Sequence, residues 1–202
     1  MKILHVLAAF VGCLCAGAPA SPAKPHIWVP HLLKIQTPKG SLVYDVGPDV
    51  DISGYSGAGR ASGKLVFAGY GIQAKRDNHD DLAGLDVKGR VVLLLDGYPG
   101  ESATSPLAHL QSVVAKAAML RKLGATAVIV TVTKADFKKG TSAERYSGSH
   151  ASLPVLRVRS TVAEQWIRES THGDLPTIWE NADVGKHVSM PLKANASVLI
   201  EK

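Results

Sequence analysis

Cysteine is scarce in this 202-residue chain, and both copies, Cys13 and Cys15, fall within the first twenty residues. That stretch reads as an export signal. Lys2 supplies a positive start, residues 3–17 are apolar, and Ala18-Pro19-Ala20 forms a small-x-small cleavage sequence. Gly12, Gly17 and Pro19 argue against a buried helix there, and Phe10 fits poorly with lipid attachment at Cys13. Cleavage before Ser21 leaves 182 residues without a thiol. A disulfide framework, a cysteine nucleophile, a thiolate zinc site and a CxxC redox pair are thereby excluded from the mature chain. The expected location is secreted or periplasmic.

Aromatic residues are few, at 5%, and no block of five or six like charges occurs. The net charge is +6, or +5 once Lys2 is removed, and its cations are scattered: Lys75-Arg76, Arg121-Lys122, Lys138-Lys139, Arg157 and Arg159. Single-stranded nucleic acid would require a basic track interleaved with aromatics, so no nucleic-acid partner is expected. After the signal, no apolar run is long enough for a membrane span. What remains is an ordinary globular composition, 46% hydrophobic and 20% charged, long enough to bury a core.

Hydrophobic patterning divides the rest. Residues 21–52 suggest a proline-rich extended arm with a short strand at 42–45, and residues 47–63, with Gly54, Gly57, Gly59 and Gly63, an irregular connector. A strand is predicted at 64–68. Residues 91–95 are consecutive branched apolar side chains, as in a strand buried on both faces. Leu107, Leu110, Val114, Ala117 and Ala118 fall at helical spacing ahead of Arg121, Lys122 and Gly124, which mark a helix end. Residues 127–130 form the next strand, so strand, helix and strand make a parallel crossover unit. A polar loop at 134–152 and a strand at 153–156 follow. Thr161 and Glu164 suggest a capping box for a helix ending near Gly173, and the final segment, 173–202, suggests strands at 188–191 and 196–200.

Catalytic motifs are wanting. Gly54-Tyr55-Ser56-Gly57-Ala58 misses the last glycine of a nucleophile elbow and leads into no helix. Gly69-Tyr70-Gly71-Ile72-Gln73-Ala74 follows a strand, but Lys75-Arg76-Asp77-Asn78-His79 after it is turn material, with no helix N-terminus to receive a pyrophosphate. His79-Asp80-Asp81 has the His-x-Asp spacing used in zinc peptidases. A catalytic zinc needs further ligands and a base, and no Glu-Glu pair exists in the chain. His79 therefore reads as part of a solvated turn, and Asp80, Asp81 and Asp86 as turn caps. No catalytic residue, metal or cofactor is expected.

Two segments carry a family resemblance. Gly63-Lys-Leu-Val-Phe-Ala-Gly-Tyr-Gly-Ile72 and His79-Asp-Asp-Leu-Ala-Gly-Leu-Asp-Val-Lys-Gly-Arg-Val-Val-Leu93 closely resemble the protease-associated (PA) domain. Residues 116–123 resemble its helix, Gly124-Ala125-Thr-Ala-Val-Ile129 its Gly-Ala strand, and Leu153-Pro-Val the segment before its last helix. The likeness covers about residues 53–171, and the PA-like domain is placed at 53–172. Its nearest form resembles the PA domain of secreted zinc aminopeptidases of the aminopeptidase Y and transferrin-receptor kind.

The resemblance implies an α/β fold: a mixed sheet curled into a sandwich or partial barrel, with two flanking helices. It implies a non-catalytic accessory module engaging a peptide or protein, such as a peptidase domain. The zinc ligands of such enzymes would lie beyond Lys202, so the alternative is the N-terminal portion of a zinc aminopeptidase. A third reading is a small-ligand binder at the mouth of the strand-helix-strand unit. For partner contact, the polar loops after the two buried strands nominate Tyr98 and Tyr146 as amphipathic surfaces. Lys138, Lys139 and Arg145 would favour a carboxylate-bearing partner. Asn195-Ala-Ser197 is a glycosylation sequon in a eukaryotic host only.

Overall fold

The computed structural model describes residues 32–102, 104–133, 137 and 151–201. The expected export signal, Lys138, Lys139, Arg145 and Tyr146 lie outside them. The chain folds as a mixed α/β unit around a nearly closed, barrel-like eight-stranded sheet with three helices among the described residues, in accord with the partial barrel expected.

The sheet runs β2-β1-β10-β4-β7-β8-β9-β3, where β1 is Leu33–Thr37, β2 Gly40–Tyr44, β3 Val50–Ile52 and β4 Gly59–Phe67. Further along, β7 is Val91–Leu95, β8 Ala127–Val132, β9 Val155–Arg159 and β10 Met190–Ile200. A separate hairpin joins β5 (Gln73–Ala74) and β6 (His79–Asp80). Strands β4, β7, β8 and β9 pair in parallel, and all other pairs in the large sheet are antiparallel.

Periodicity explains the layers. Every residue of β7 and β8 is buried, because successive side chains point to opposite faces and both faces are covered. Val92, Leu94, Val128 and Val130 pack on one face with Ala117 and Leu120 of helix α1 (Val113–Lys122). Val91, Leu93, Leu95 and Ile129 face the other way, against Trp166 and Ile167 of helix α2 (Ser160–Ser170). Close backbone approach fixes the β4–β7 junction: a Cβ on Gly63 would lie 2.3 Å from the Gly89 carbonyl oxygen, so only glycine fits.

Several local expectations are corrected. The predicted connector at 47–63 contains β3 and the first half of β4. Helix α1 starts only at Val113, where the Ser112 hydroxyl accepts the Ala115 N–H at 3.3 Å. Leu110 therefore belongs to a preceding 3-10 turn and not to the helical face; the buried face is Lys116, Ala117 and Leu120, with Ala118 exposed. Thr161 and Glu164 form no capping box. Helix α2 grows directly out of β9 with no side-chain cap, and Glu164 instead accepts from Arg168 one turn on.

The tail departs furthest. In place of strands only, it forms a third helix, α3 (Leu175–Asp183), followed by the single long strand β10. The Asp174 carboxylate caps α3 by accepting the Thr177 N–H at 2.9 Å, and Pro176 in the first turn costs no hydrogen bond.

Candidate binding pocket

Three parallel strands in sequence deliver their carboxyl ends to one edge, and a cavity of about 380 Å³ lies there, between the sheet and the start of α1. Asp96 leaves the end of β7, anchored by its N–H to the Thr131 carbonyl at 3.1 Å, while its Oδ1 accepts the Gly97 N–H at 2.9 Å. Val130 of β8 supplies apolar wall, and Arg157 sits beside it in register on β9. The Arg157 guanidinium carbon stands 5.9 Å from the centre of the Phe137 ring, a cation–π distance. Ser53 and Tyr55, just beyond β3, and Gln111 and Ser112, ahead of α1, bring hydroxyl and amide groups. Ser53 is held by its N–H on the Val155 carbonyl at 3.1 Å, and the Tyr55 carbonyl accepts the Ala151 N–H at 2.6 Å.

Behind Asp96 lies a buried polar network. Lys116, on the inward face of α1, donates from Nζ to the Gly97 carbonyl at 2.6 Å and stands 5.9 Å from the Tyr70 ring centre. Burial pushes its ammonium down to about 8, partly opposed by the charges of Asp96 and Asp81. The Tyr70 hydroxyl donates to Asp183 of α3 and accepts the Trp179 Nε1–H at 2.9 Å. Burial first, then the Asp183 carboxylate, raises the Tyr70 phenol well above its usual range. Lys116 also borders a smaller, mostly apolar cavity of about 220 Å³ with Ile72, Leu110 and Met119.

The His-x-Asp segment is not the solvated turn expected. His79 is 8% exposed and Asp81 2%, with Nε2 of the histidine 3.1 Å from Oδ2 of the aspartate. That contact lacks hydrogen-bond alignment, so it is a proximity of polar groups. Asp81 Oδ2 accepts the Ile72 N–H at 3.0 Å and pins the loop after β4 against β6. Among the described residues, no three His, Cys, Asp or Glu side chains gather as a metal site.

The turn-cap reading of the other acids agrees with the structure: Asp80 Oδ1 accepts from the Leu82 N–H and Asp86 Oδ1 from the Lys88 N–H, each at 3.0 Å. Ser56, from the imperfect nucleophile elbow, accepts the Val155 N–H at 2.8 Å and donates to the Gly57 carbonyl. Gly71 has a positive φ of 68°, and the backbone runs on into β5 and not into a helix, so no pyrophosphate cradle forms.

Of the residues nominated for partner contact, Tyr98 is 9% exposed and packs in the core. Sequence reasoning passed over Asp96, Arg157 and Lys116. The signal for each was a charge amid apolar neighbours: Asp96 directly after the Val91–Leu95 run, Arg157 between Leu156 and Val158, Lys116 within the small apolar stretch of α1.

No family model and no curated protein matches the chain. Among solved structures it is similar to an aminopeptidase from Aneurinibacillus sp. strain AM-1, at 20% identity and a TM-score of 0.46, over 83% of this chain and 29% of that one. It is also similar to BSAP, a zinc aminopeptidase from Bacillus subtilis, at 14% identity and a TM-score of 0.44, over 86% of this chain and 31% of that one. The chain spans less than a third of the length of either.

Proposed function

We propose that the chain is an exported, non-catalytic module of the PA type, which presents a binding pocket to peptides or to a peptidase domain. The observation that carries this reading is what the polar residues of the resembling segments do. Asp81, Asp80, Asp86 and Ser56 each hold a backbone N–H, and Lys116 holds a backbone carbonyl. Groups engaged in this way stabilise a scaffold and are poorly placed to exchange protons with a substrate. The pocket at the strand ends is the place where an α/β sheet offers a ligand site.

The test is hydrolysis of aminoacyl anilides and short peptides by the purified chain, with and without added zinc. No turnover is expected. Zinc-dependent turnover abolished by His79→Ala, after removal of host peptidases, would overturn the reading. A reading frame continuing past Lys202 into His-x-Asp and Glu-Glu motifs would instead make this module the front of a zinc aminopeptidase. The intact mass of the exported form tests the export signal: it is expected to begin at Ser21.

A further inference from the structure

We propose that the open face of the antiparallel half of the sheet docks an acidic protein surface. This goes beyond the pocket and does not depend on it, so either can fail alone. Alternate residues of β1, β4 and β10 point inward, among them Leu33, Ile35, Leu65 and Val198 of the core under α2. The residues between them form an exposed grid. Lys34, Ser197 and Ser62 lie in one cross-strand row, and Gln36, Asn195 and Lys64 in the next. Arg60 extends the grid along β4 and Lys193 along β10, both exposed. Strands β1, β2, β4 and β10 contain no aspartate or glutamate; Asp45 and Glu201 stand just past strand ends. Among the described residues, none of these four cations is engaged in an ion pair. Cations scattered along the sequence are thus gathered on one face by strand pairing.

Charge complementarity names the occupant. Cations with hydroxyl and amide side chains between them suit a surface of carboxylates, which accept hydrogen bonds and donate none. From ladder spacings, the backbones at Lys34 and Lys64 stand roughly 12 Å apart, close to one Debye length at ~0.1 M salt. Their mutual repulsion therefore costs little, and each is left to meet its own carboxylate. Single-stranded nucleic acid would require aromatic platforms, which the face lacks: Tyr44 turns inward to Trp166, and Phe67 is buried. A lipid surface would require an apolar set to bury, and Val43 is the only large aliphatic side chain of these strands that is well exposed.

The experiment is fluorescence anisotropy of a labelled decaglutamate peptide, titrated with the purified chain at about 0.1 M salt. Saturable binding is expected, weakening steeply at about 0.5 M. Lys34→Glu with Lys64→Glu should weaken it at least about fivefold, and the corresponding pair of Gln substitutions by a smaller factor. Lys75→Glu with Lys122→Glu makes the same change in net charge on other elements, and should alter binding less than about twofold. Circular dichroism checks the folding of each variant, and the Gln pair serves if the Glu pair does not fold. Equal losses in the two charge reversals would mean that net charge alone attracts the peptide, and would overturn the proposal. So would a failure to saturate up to about 1 mM. Tighter capture of an oligothymidylate or of phosphatidylglycerol vesicles than of decaglutamate would assign the face to nucleic acid or to lipid, and would overturn it as well.

Discussion

Strands β7 and β10 belong to one sheet yet follow different rules. In β7 all five residues, Val91–Leu95, are buried, and they divide alternately between two cores, one under α1 and one under α2. In β10, Leu192, Ala194, Ala196, Val198 and Ile200 are buried while Lys193, Asn195 and Ser197 are exposed. The parallel half is thus covered on both faces and the antiparallel half on one, which is the usual division between such sheets. The pocket opens at the two-sided half. There, the strand ends are fixed from above and below, so the groups that line the cavity are held in place.

The contrast breaks most sharply at Leu94. Its side chain is fully buried and presses on the loop after β4: a Cβ on Gly71 would lie 2.7 Å from Leu94 Cδ2. Leu94→Ala is expected to cost ~2–5 kcal/mol, read as a lower urea midpoint at unchanged slope. A loss below about 1 kcal/mol would mean that the second face of β7 is not a packed core.

What the sequence made legible follows the same divide. The runs at 91–95 and 127–130 stand out as two-sided strands because nothing polar interrupts them, and the helix and Gly124 between them mark the crossover. Strand β10 was read only in part, since its inward residues include Ala194 and Ala196, whose small side chains give little hydrophobic contrast with Lys193 and Asn195. Helix α3 was missed although Asp174 and Pro176 announce its start, because nine residues hold little more than two turns of periodicity. The pocket was legible only as a place, the mouth of the crossover unit. Its charges, Asp96 and Arg157, lie 61 positions apart and reach one cavity only through strand pairing.

A smaller effect sharpens the comparison through pH. The Lys116 ammonium sits under the two-sided half with its folded value lowered to about 8 from 10.5. Between these values the unfolded chain binds more protons than the folded one, so this lysine makes stability rise with pH across that window. Above pH 10 the raised Tyr70 and Tyr44 act oppositely, since they keep their protons only when folded. Subtracting the profile of Lys116→Met from that of the wild type isolates the lysine, with an expected rise on the order of 2 kcal/mol from pH 8 to 10. A flat difference would mean that the ammonium is solvated.

The least effect is expected on the open face of β10. Lys193 points to solvent, and Lys193→Ala should change stability by no more than about 0.5 kcal/mol in the same urea experiment that reports on Leu94. A cost equal to that of Leu94→Ala would erase the difference between the halves.

Native-state hydrogen exchange tests the division most directly, because it reads both halves in one sample. The amides of Val92–Leu94 and Val128–Val130 are expected to exchange only through global unfolding, with protection equal to the full stability. Those of the edge strand β2, covered by one neighbour alone, should open locally and exchange much faster. Equal protection of β2 and β7, or faster exchange in β7, would contradict a structure whose rigid base is the parallel half that carries the pocket.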